Sequence, residues 1–112
     1  MRLLPDILEE RREPGRVELE LRVPAELAYF EGHFPGLPIL PGVVQIDWAV
    51  RFARERLTLR GGFAAAENLK FLSIVQPEAR LKLTLALSGD RLTFDYSHEK
   101  KKCSSGTLVF GA

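Results

Sequence analysis

One segment of the sequence has helical character, and the segments on either side of it do not. From Gly42 the chain reads GVVQIDWAVRFARERLTL, which is apolar almost all round until Val50 and amphipathic after it. This pattern predicts one long helix whose first half is buried on most sides. Pro41 and Gly42 suit the start of the helix, and Gly61-Gly62 suit its end. A lone helix of this kind requires other elements to cover it.

Alternating polar and apolar residues predict strands on both sides of the helix. Three segments alternate, residues 16–23, 79–87 and 91–98. Two more, residues 69–75 and 102–110, have the composition of strands. The short links between the later strands predict an antiparallel meander.

The N-terminal residues leave two structures open. Residues 7–12 fit either a partner strand or a short helix, and Glu13-Pro14-Gly15 after them predicts a type II turn. The expected fold class is therefore α+β, with one long central helix wrapped by an antiparallel β-sheet.

Size and charge restrict the classes of function. The chain has 112 residues, which predicts a single domain over residues 1–112 with a thin core that a partner subunit would help to cover. The 16 Lys and Arg residues nearly balance the 15 Asp and Glu residues, so neither nucleic acid nor a membrane surface is expected as the main partner.

Location is predicted from the N-terminus and the cysteine content. No apolar run is long enough to span a bilayer, and MRLLPDILEERRE is too charged for a signal peptide. Cys103 is the single cysteine, which fits a reducing compartment. We therefore expect a cytoplasmic protein.

His33 is the first candidate for chemistry. It lies in FEGHFPGLPILPG, where glycine and proline restrict the backbone and so limit where the imidazole can go. An imidazole has a pKa near neutrality and is the commonest general acid–base group. The alternative is an ordinary loop histidine without a chemical role.

Asp47 is the second candidate. At helical spacing its neighbours include Val43, Val44 and Val50, an apolar setting that would desolvate the carboxylate. Desolvation raises the pKa of a carboxyl group and favours a proton-donating role. The alternative is a helical ion pair with Arg51.

Gly42 is the third candidate. It opens the helix, where free N–H groups and the positive end of the helix dipole attract negative charge, such as that on a carbonyl oxygen becoming enolate-like. A plain helix start is the alternative. His33, Asp47 and His98 do not have the spacing of a metal-ligand cluster, so no metal is expected.

These residues belong to a motif that resembles a known signature. The string GHFPGLPILPGV, with an acid five residues after Gly42, is similar to the GHFPxxPxxPGV signature of the 3-hydroxyacyl-ACP dehydratases, which also continues to Glu or Asp. The segment LKFLSIVQPEARLKLTL resembles the family's KF…V.PG stretch, so the resemblance covers nearly the whole chain. The compact length looks most like the small aryl-polyene-type thioester dehydratases.

The resemblance implies the hotdog fold and a dehydration reaction. In this interpretation His33 removes the α-proton of a 3-hydroxyacyl thioester, Asp47 helps to expel the 3-hydroxyl as water, and the Gly42 N–H binds the thioester carbonyl. The product is the trans-2-enoyl thioester, as in fatty-acid or aryl-polyene synthesis. The substrate-binding residues implied beside Gly42 are Val43, Phe34, Pro35 and Trp48.

The resemblance also implies the partners. The substrate is carried by the phosphopantetheine arm of an acyl carrier protein, which enters a tunnel along the interface of a homodimer or larger homo-oligomer. The histidine and the acid of one site come from different subunits, and no metal or organic cofactor is used.

The chain departs from the family pattern at three positions. Asp47 stands where many members have Glu, Arg51 replaces a common Gln, and Trp48 replaces a small residue and would reshape the tunnel. Two other functions stay open: a hotdog thioesterase, and a non-catalytic member that binds carrier protein. The sequence does not determine the length or type of the acyl chain, or whether the carrier is a protein or CoA. It also does not determine whether the oligomer is a dimer or a hexamer, or whether isomerase activity accompanies dehydration.

Overall fold

One helix and one six-stranded antiparallel sheet make up the fold. The computed structural model describes residues 1–32 and 36–111. The elements in chain order are β1 (Asp6–Glu13), β2 (Arg16–Arg22), a 3₁₀ turn (Ala28–Phe30), α1 (Gly42–Arg56), β3 (Gly62–Phe71), β4 (Arg80–Ser88), β5 (Arg91–His98) and β6 (Lys101–Gly111). The expected α+β class is confirmed, and the helix wrapped by a sheet is the hotdog arrangement.

The strand order corrects the meander prediction. The strands are arranged β1-β2-β4-β5-β6-β3, so only β4, β5 and β6 form a simple meander. β3 does not pair with β4, which follows it in sequence, but with β6. The link over residues 72–79 carries the chain from one edge of the sheet to a position beside β2. Crossing in this way lets the sheet wrap around α1.

The alternating segments have one face in the core. Leu19 of β2 pairs with Leu83 of β4, which pairs with Tyr96 of β5, and all three side chains are buried. The open choice for residues 7–12 is settled as a strand, since β1 pairs antiparallel with β2. Between them Gly15 has φ +72°, as the expected turn requires at its third position.

The helix ends earlier than its sequence signals predict. α1 stops at Arg56, because Leu57 is already extended with φ −120° and ψ 163°. Leu59, which is buried, then anchors an extended segment to the core. Gly61-Gly62 therefore lies at the start of β3 and not at the end of the helix.

The third strand begins seven residues before its predicted position. It covers Gly62–Phe71, where 69–75 was expected, and every residue in it is exposed. A strand with no buried face needs no alternation, so GFAAAEN gave no periodic signal. No helix in the described part of the chain is long and apolar enough to cross a membrane.

Candidate active site

The loop before α1 begins with a short turn that is bonded to the N-terminal segment. The 3₁₀ turn Ala28–Phe30 is held by the Ala28 N–H, which donates to the Arg2 carbonyl at 2.9 Å. Gly32 and Gly36 have φ of +77° and +80°, a region that strains other residues. Three predicted site residues between them, His33, Phe34 and Pro35, lie outside the described residues.

Two backbone N–H groups at the start of α1 have no acceptor among the described residues. The Pro41 carbonyl accepts the N–H groups of Val44 and Gln45 at 3.1 and 3.2 Å. The N–H groups of Gly42 and Val43 donate to no described residue, and no side chain caps the helix. Two unpaired N–H groups at the positive end of a helix can bind a developing negative charge. This is the position where an oxyanion donor was predicted.

Gly42 lies against the ring of Phe71. A Cβ built on Gly42 would lie 2.6 Å from Cε1 of Phe71, the last residue of β3. The Phe71 ring therefore lies against the helix start, although 49% of the residue stays exposed. A larger residue at position 42 would have to displace this ring, which is the far end of a half-exposed side chain.

Asp47 lies on the outward face of α1. The structure contradicts the expectation that this chain desolvates it: Asp47 is exposed, and Val43, one turn earlier, is 73% exposed. The reason is the orientation of α1, which turns Val44 and not Val43 toward the sheet. The alternative ion pair is not formed either, because no salt bridge between Asp47 and Arg51 exists among residues 1–32 and 36–111.

The negative charge of Asp47 affects the pKa of one buried group. Burial, and after it the negative charge of Asp47, raises the pKa of the Tyr96 phenol well above its ordinary value. The Tyr96 hydroxyl is protonated and donates to the Gln45 carbonyl at 2.7 Å. Asp47 is thus exposed to solvent yet close to the polar groups under the helix start.

Trp48 is on the opposite face from Asp47. It has no exposed surface, and its indole N–H donates to the Leu3 carbonyl at 3.0 Å. This contact joins α1 to the N-terminal segment, which also bonds through Arg2 to the loop at Ala28. The placement gives Trp48 a packing role in the single chain. Its predicted part in substrate binding stays a prediction.

A buried polar cluster was missed by sequence reasoning. The Ser104 hydroxyl donates to Gln45 Oε1 at 2.6 Å, and Gln45 Nε2 donates to the Leu40 carbonyl at 3.3 Å. With Tyr96, these residues tie the first turn of α1 to β5 and β6. The available signal was Gln45 itself, a polar residue within the apolar run VVQI.

The β3 edge of the sheet is apolar and uncovered. β3 pairs only with β6, and the exposed residues on and after it include Phe63, Leu69, Phe71, Leu72 and Ile74. An exposed edge strand with apolar side chains is a template for association with another chain. The described residues contain no cluster of three or more His, Cys, Asp or Glu side chains that could hold a metal ion.

These features together describe a hotdog fold with helix N–H groups that donate to no described residue, a carboxylate on the same helix and an uncovered apolar edge. Residues 9–107 match the family model described as ApeI dehydratase. The chain belongs to the ApeI-like dehydratase family.

Curated relatives have related names. The chain is 32% identical over 97 residues to an uncharacterized thioester dehydrase of Halalkalibacterium halodurans, covering 73% of this chain and 62% of the relative. It is 31% identical over 96 residues to the 3-hydroxyacyl-[acyl-carrier-protein] dehydratase FabZ of Legionella pneumophila, covering 71% and 64%. The chain thus spans less than two thirds of the length of these relatives.

Solved structures agree over nearly the full chain. One is the dehydratase heterocomplex ApeI:P from Xenorhabdus doucetiae, with a TM-score of 0.91, 29% identity and coverage of 97% of this chain and 99% of that one. Another is an uncharacterized protein from Erwinia carotovora, with a TM-score of 0.85, 34% identity and coverage of 96% of both chains.

Proposed function

We propose that this protein dehydrates a 3-hydroxyacyl thioester to the trans-2-enoyl thioester and water. The observation that carries the proposal is the start of α1, where the N–H groups of Gly42 and Val43 donate to no described residue and precede Asp47 by five and four residues in the same helix. The family membership and the GHFP loop add the histidine that this chemistry needs.

Each residue has one role in the proposed reaction. His33 takes the proton from the α-carbon, and the electrons move toward the thioester carbonyl. The Gly42 N–H stabilises the oxygen that gains charge. Asp47 delivers a proton to the 3-hydroxyl, so that it leaves as water and the double bond forms between the α and β carbons. Val43, Phe34, Pro35 and Trp48 are the proposed substrate-binding residues.

The proposed catalytic unit is a homodimer that pairs β3 with its copy in a second chain. The support is the wholly exposed β3 strand with its apolar residues. A second chain on this edge would also cover Val43 and Asp47, which a single chain leaves open. The coverage would desolvate the carboxylate and favour its protonated form. A molecular mass by light scattering equal to one chain at assay concentration would contradict the dimer.

The proposed substrate carrier is an acyl carrier protein, in line with the name of the FabZ relative. The proposed location is the cytoplasm, where the buried free thiol of Cys103 would stay reduced.

The reaction is tested with a panel of 3-hydroxyacyl and acyl thioesters on carrier protein and on CoA. Enoyl formation and free-thiol release are scored in the same samples. Enoyl formation without thiol release is expected. Thiol release alone would make the protein a thioesterase, and neither product on any substrate would favour a non-catalytic carrier-binding role.

The shared site is tested by subunit complementation. His33→Ala should abolish dehydration, with a loss of about 10² to 10⁴ in rate, and the fold is expected to survive the change. When His33→Ala and Asp47→Asn chains are mixed, heterodimers hold one site with both native groups, so activity should return. If subunit exchange is demonstrated and activity stays absent, the shared-site proposal fails.

A further inference from the structure

The first turn of α1 contacts three residues that lie side by side on neighbouring strands of the sheet. Phe71 of β3 pairs with Ser104 of β6, and Ser104 pairs with Tyr96 of β5. All three contact the same turn of the helix: Phe71 packs on Gly42, while Ser104 and Tyr96 bond to Gln45. The first turn of α1 therefore contacts three neighbouring strands, β3, β6 and β5, through residues that are paired with one another.

Gln45 connects these strands to the chain just before Gly42. It is only 3% exposed, and both ends of its side-chain amide are used. Oε1 accepts from the Ser104 hydroxyl at 2.6 Å, and Nε2 donates to the Leu40 carbonyl at 3.3 Å. The Leu40 N–H in turn donates to the Val75 carbonyl at 2.8 Å.

The backbone that carries the proposed donor is thus held from both sides. Leu40 is fixed by Val75 on one side and by Gln45 on the other, and Pro41 between Leu40 and Gly42 has restricted φ. The Gly42 N–H comes two residues after this anchor. A donor that stabilises a transition state must be held within a fraction of an ångström, and supporting hydrogen bonds supply that accuracy.

We propose that Gln45 is a positioning residue that sets the direction of the Gly42 N–H through its hydrogen bonds to Leu40 and Ser104. The inference rests on the proposed function, since it concerns the carbonyl-binding donor of that site. Gln45 touches neither substrate nor reacting atoms; it acts through the backbone at Gly42.

The test compares two variants that each remove hydrogen bonds from the same cluster. Gln45→Met keeps the length of the side chain but loses the bonds to Leu40 and Ser104. Tyr96→Phe is the matched control, because it removes only the bond to the Gln45 carbonyl and leaves Leu40 held. Both are assayed with all 112 residues present, well below the melting temperature of either variant.

Gln45→Met should lower kcat by about ten- to a hundredfold with little change in KM, since a misplaced donor weakens the transition state more than the bound substrate. Tyr96→Phe should keep kcat near the wild-type value even if it loses as much stability. Equal losses of kcat in the two variants, or an unchanged kcat in Gln45→Met, would overturn the proposal.

A second variant and a second readout keep the test decisive. If Gln45→Met does not fold, Ser104→Ala removes one of the two supports, and it should still lower kcat relative to Tyr96→Phe. If the wild-type chain has no dehydratase activity, the proposed function fails, and the NMR signal of the Gly42 amide decides the positioning question. That signal should shift or broaden in Gln45→Met but not in Tyr96→Phe, and an unchanged signal in Gln45→Met would overturn the proposal.

Discussion

The two faces of α1 come from the same fifteen residues but have opposite properties. The face on the sheet contains only buried residues: Val44, Gln45, Trp48, Ala49, Phe52 and Ala53. The outward face has Val43, Asp47, Arg51 and Arg54, all exposed. The difference indicates that one face holds the fold together, while the other is available for chemistry and for a second chain. Asp47 and Trp48, adjacent in sequence, represent the two faces.

The largest expected effect is on the outward face. Asp47→Asn should lower the dehydration rate by about 10² to 10⁴, because an amide cannot deliver a proton. At concentrations where the chain is a monomer, its free energy of unfolding should change by less than about 0.5 kcal/mol, since an exposed carboxylate without a salt bridge to a described residue contributes little. Enzyme assays and chemical denaturation of the same preparation measure both.

Arg51→Gln, one turn further along the same face, is the control for Asp47→Asn and should keep activity. A destabilised but active Asn variant would make Asp47 structural, and the two faces would then differ less than proposed.

The next effect is on the buried face. Trp48→Ala should destabilise the protein by about 3 to 5 kcal/mol, because it leaves a large cavity and unpairs the Leu3 carbonyl. Trp48→Phe loses the N–H donor and part of the ring volume, so it should cost less than Trp48→Ala but more than the about 0.5 to 1.5 kcal/mol of the hydrogen bond alone. Urea denaturation measures both variants. A Trp48→Ala protein of normal stability would contradict this packing role, and an altered KM would support the proposed part of Trp48 in substrate binding.

The adjacent valines give the closest matched pair. Val44 is 7% exposed and Val43 is 73% exposed. Val44→Ala should cost about 2 kcal/mol, from roughly 0.8 kcal/mol for each group removed plus a cavity term. Val43→Ala should cost less than about 0.5 kcal/mol at concentrations where the chain is a monomer. Equal costs in the monomer would mean that the two faces are not distinct.

The smallest effect concerns the end of the helix. Glu10 of β1 bonds to Arg56 at 3.0 Å. Partial burial raises the pKa of the Glu10 carboxyl, but hydrogen bonds from Arg12 and Arg56 outweigh it, so the pKa lies below the ordinary 4.5. The ion pair therefore stabilises the fold above pH 4.5, and this contribution is lost as the pH falls below that value.

Glu10→Gln should lower stability at pH 7 by at most about 1 kcal/mol and should reduce the acid sensitivity between pH 4.5 and 3. Melting curves at pH 7 and pH 3.5 measure the difference. If the Gln variant and the wild-type chain lose stability in parallel on acidification, Glu10 does not account for it.

Some parts of the fold could be predicted because burial of one face of a strand leaves alternating apolar and polar residues in the sequence. RVELELRV and ARLKLTLAL alternate since one face of each strand covers α1, and the α+β class follows from them. β3 gave no such signal, because all ten of its residues are exposed in the single chain. Its order in the sheet depends on pairing with β6, a long-range contact that no local pattern encodes.

The site was predictable in its residue types but not in its surroundings. The motif indicated Gly42 and Asp47, and both lie at the first turns of α1. Helical spacing placed Asp47 among valines but could not say which way the helix turns, so its burial was predicted wrongly. The hydrogen bonds of Gln45 come from residues 40 and 104 and could not be seen in the sequence.

The pairing of β3 with β6 has a consequence for how the chain reaches its native state. About thirty residues separate the end of β3 from the start of β6, and β4 and β5 must form between them. Contacts of such sequence separation slow folding, because loop entropy is lost before the pairing is gained. Because β3 pairs with β6, the apolar residues of β3 stay unpaired during synthesis until β6 has left the ribosome. The strand whose edge is proposed to pair with a second chain is thus also a segment prone to aggregation in the nascent protein.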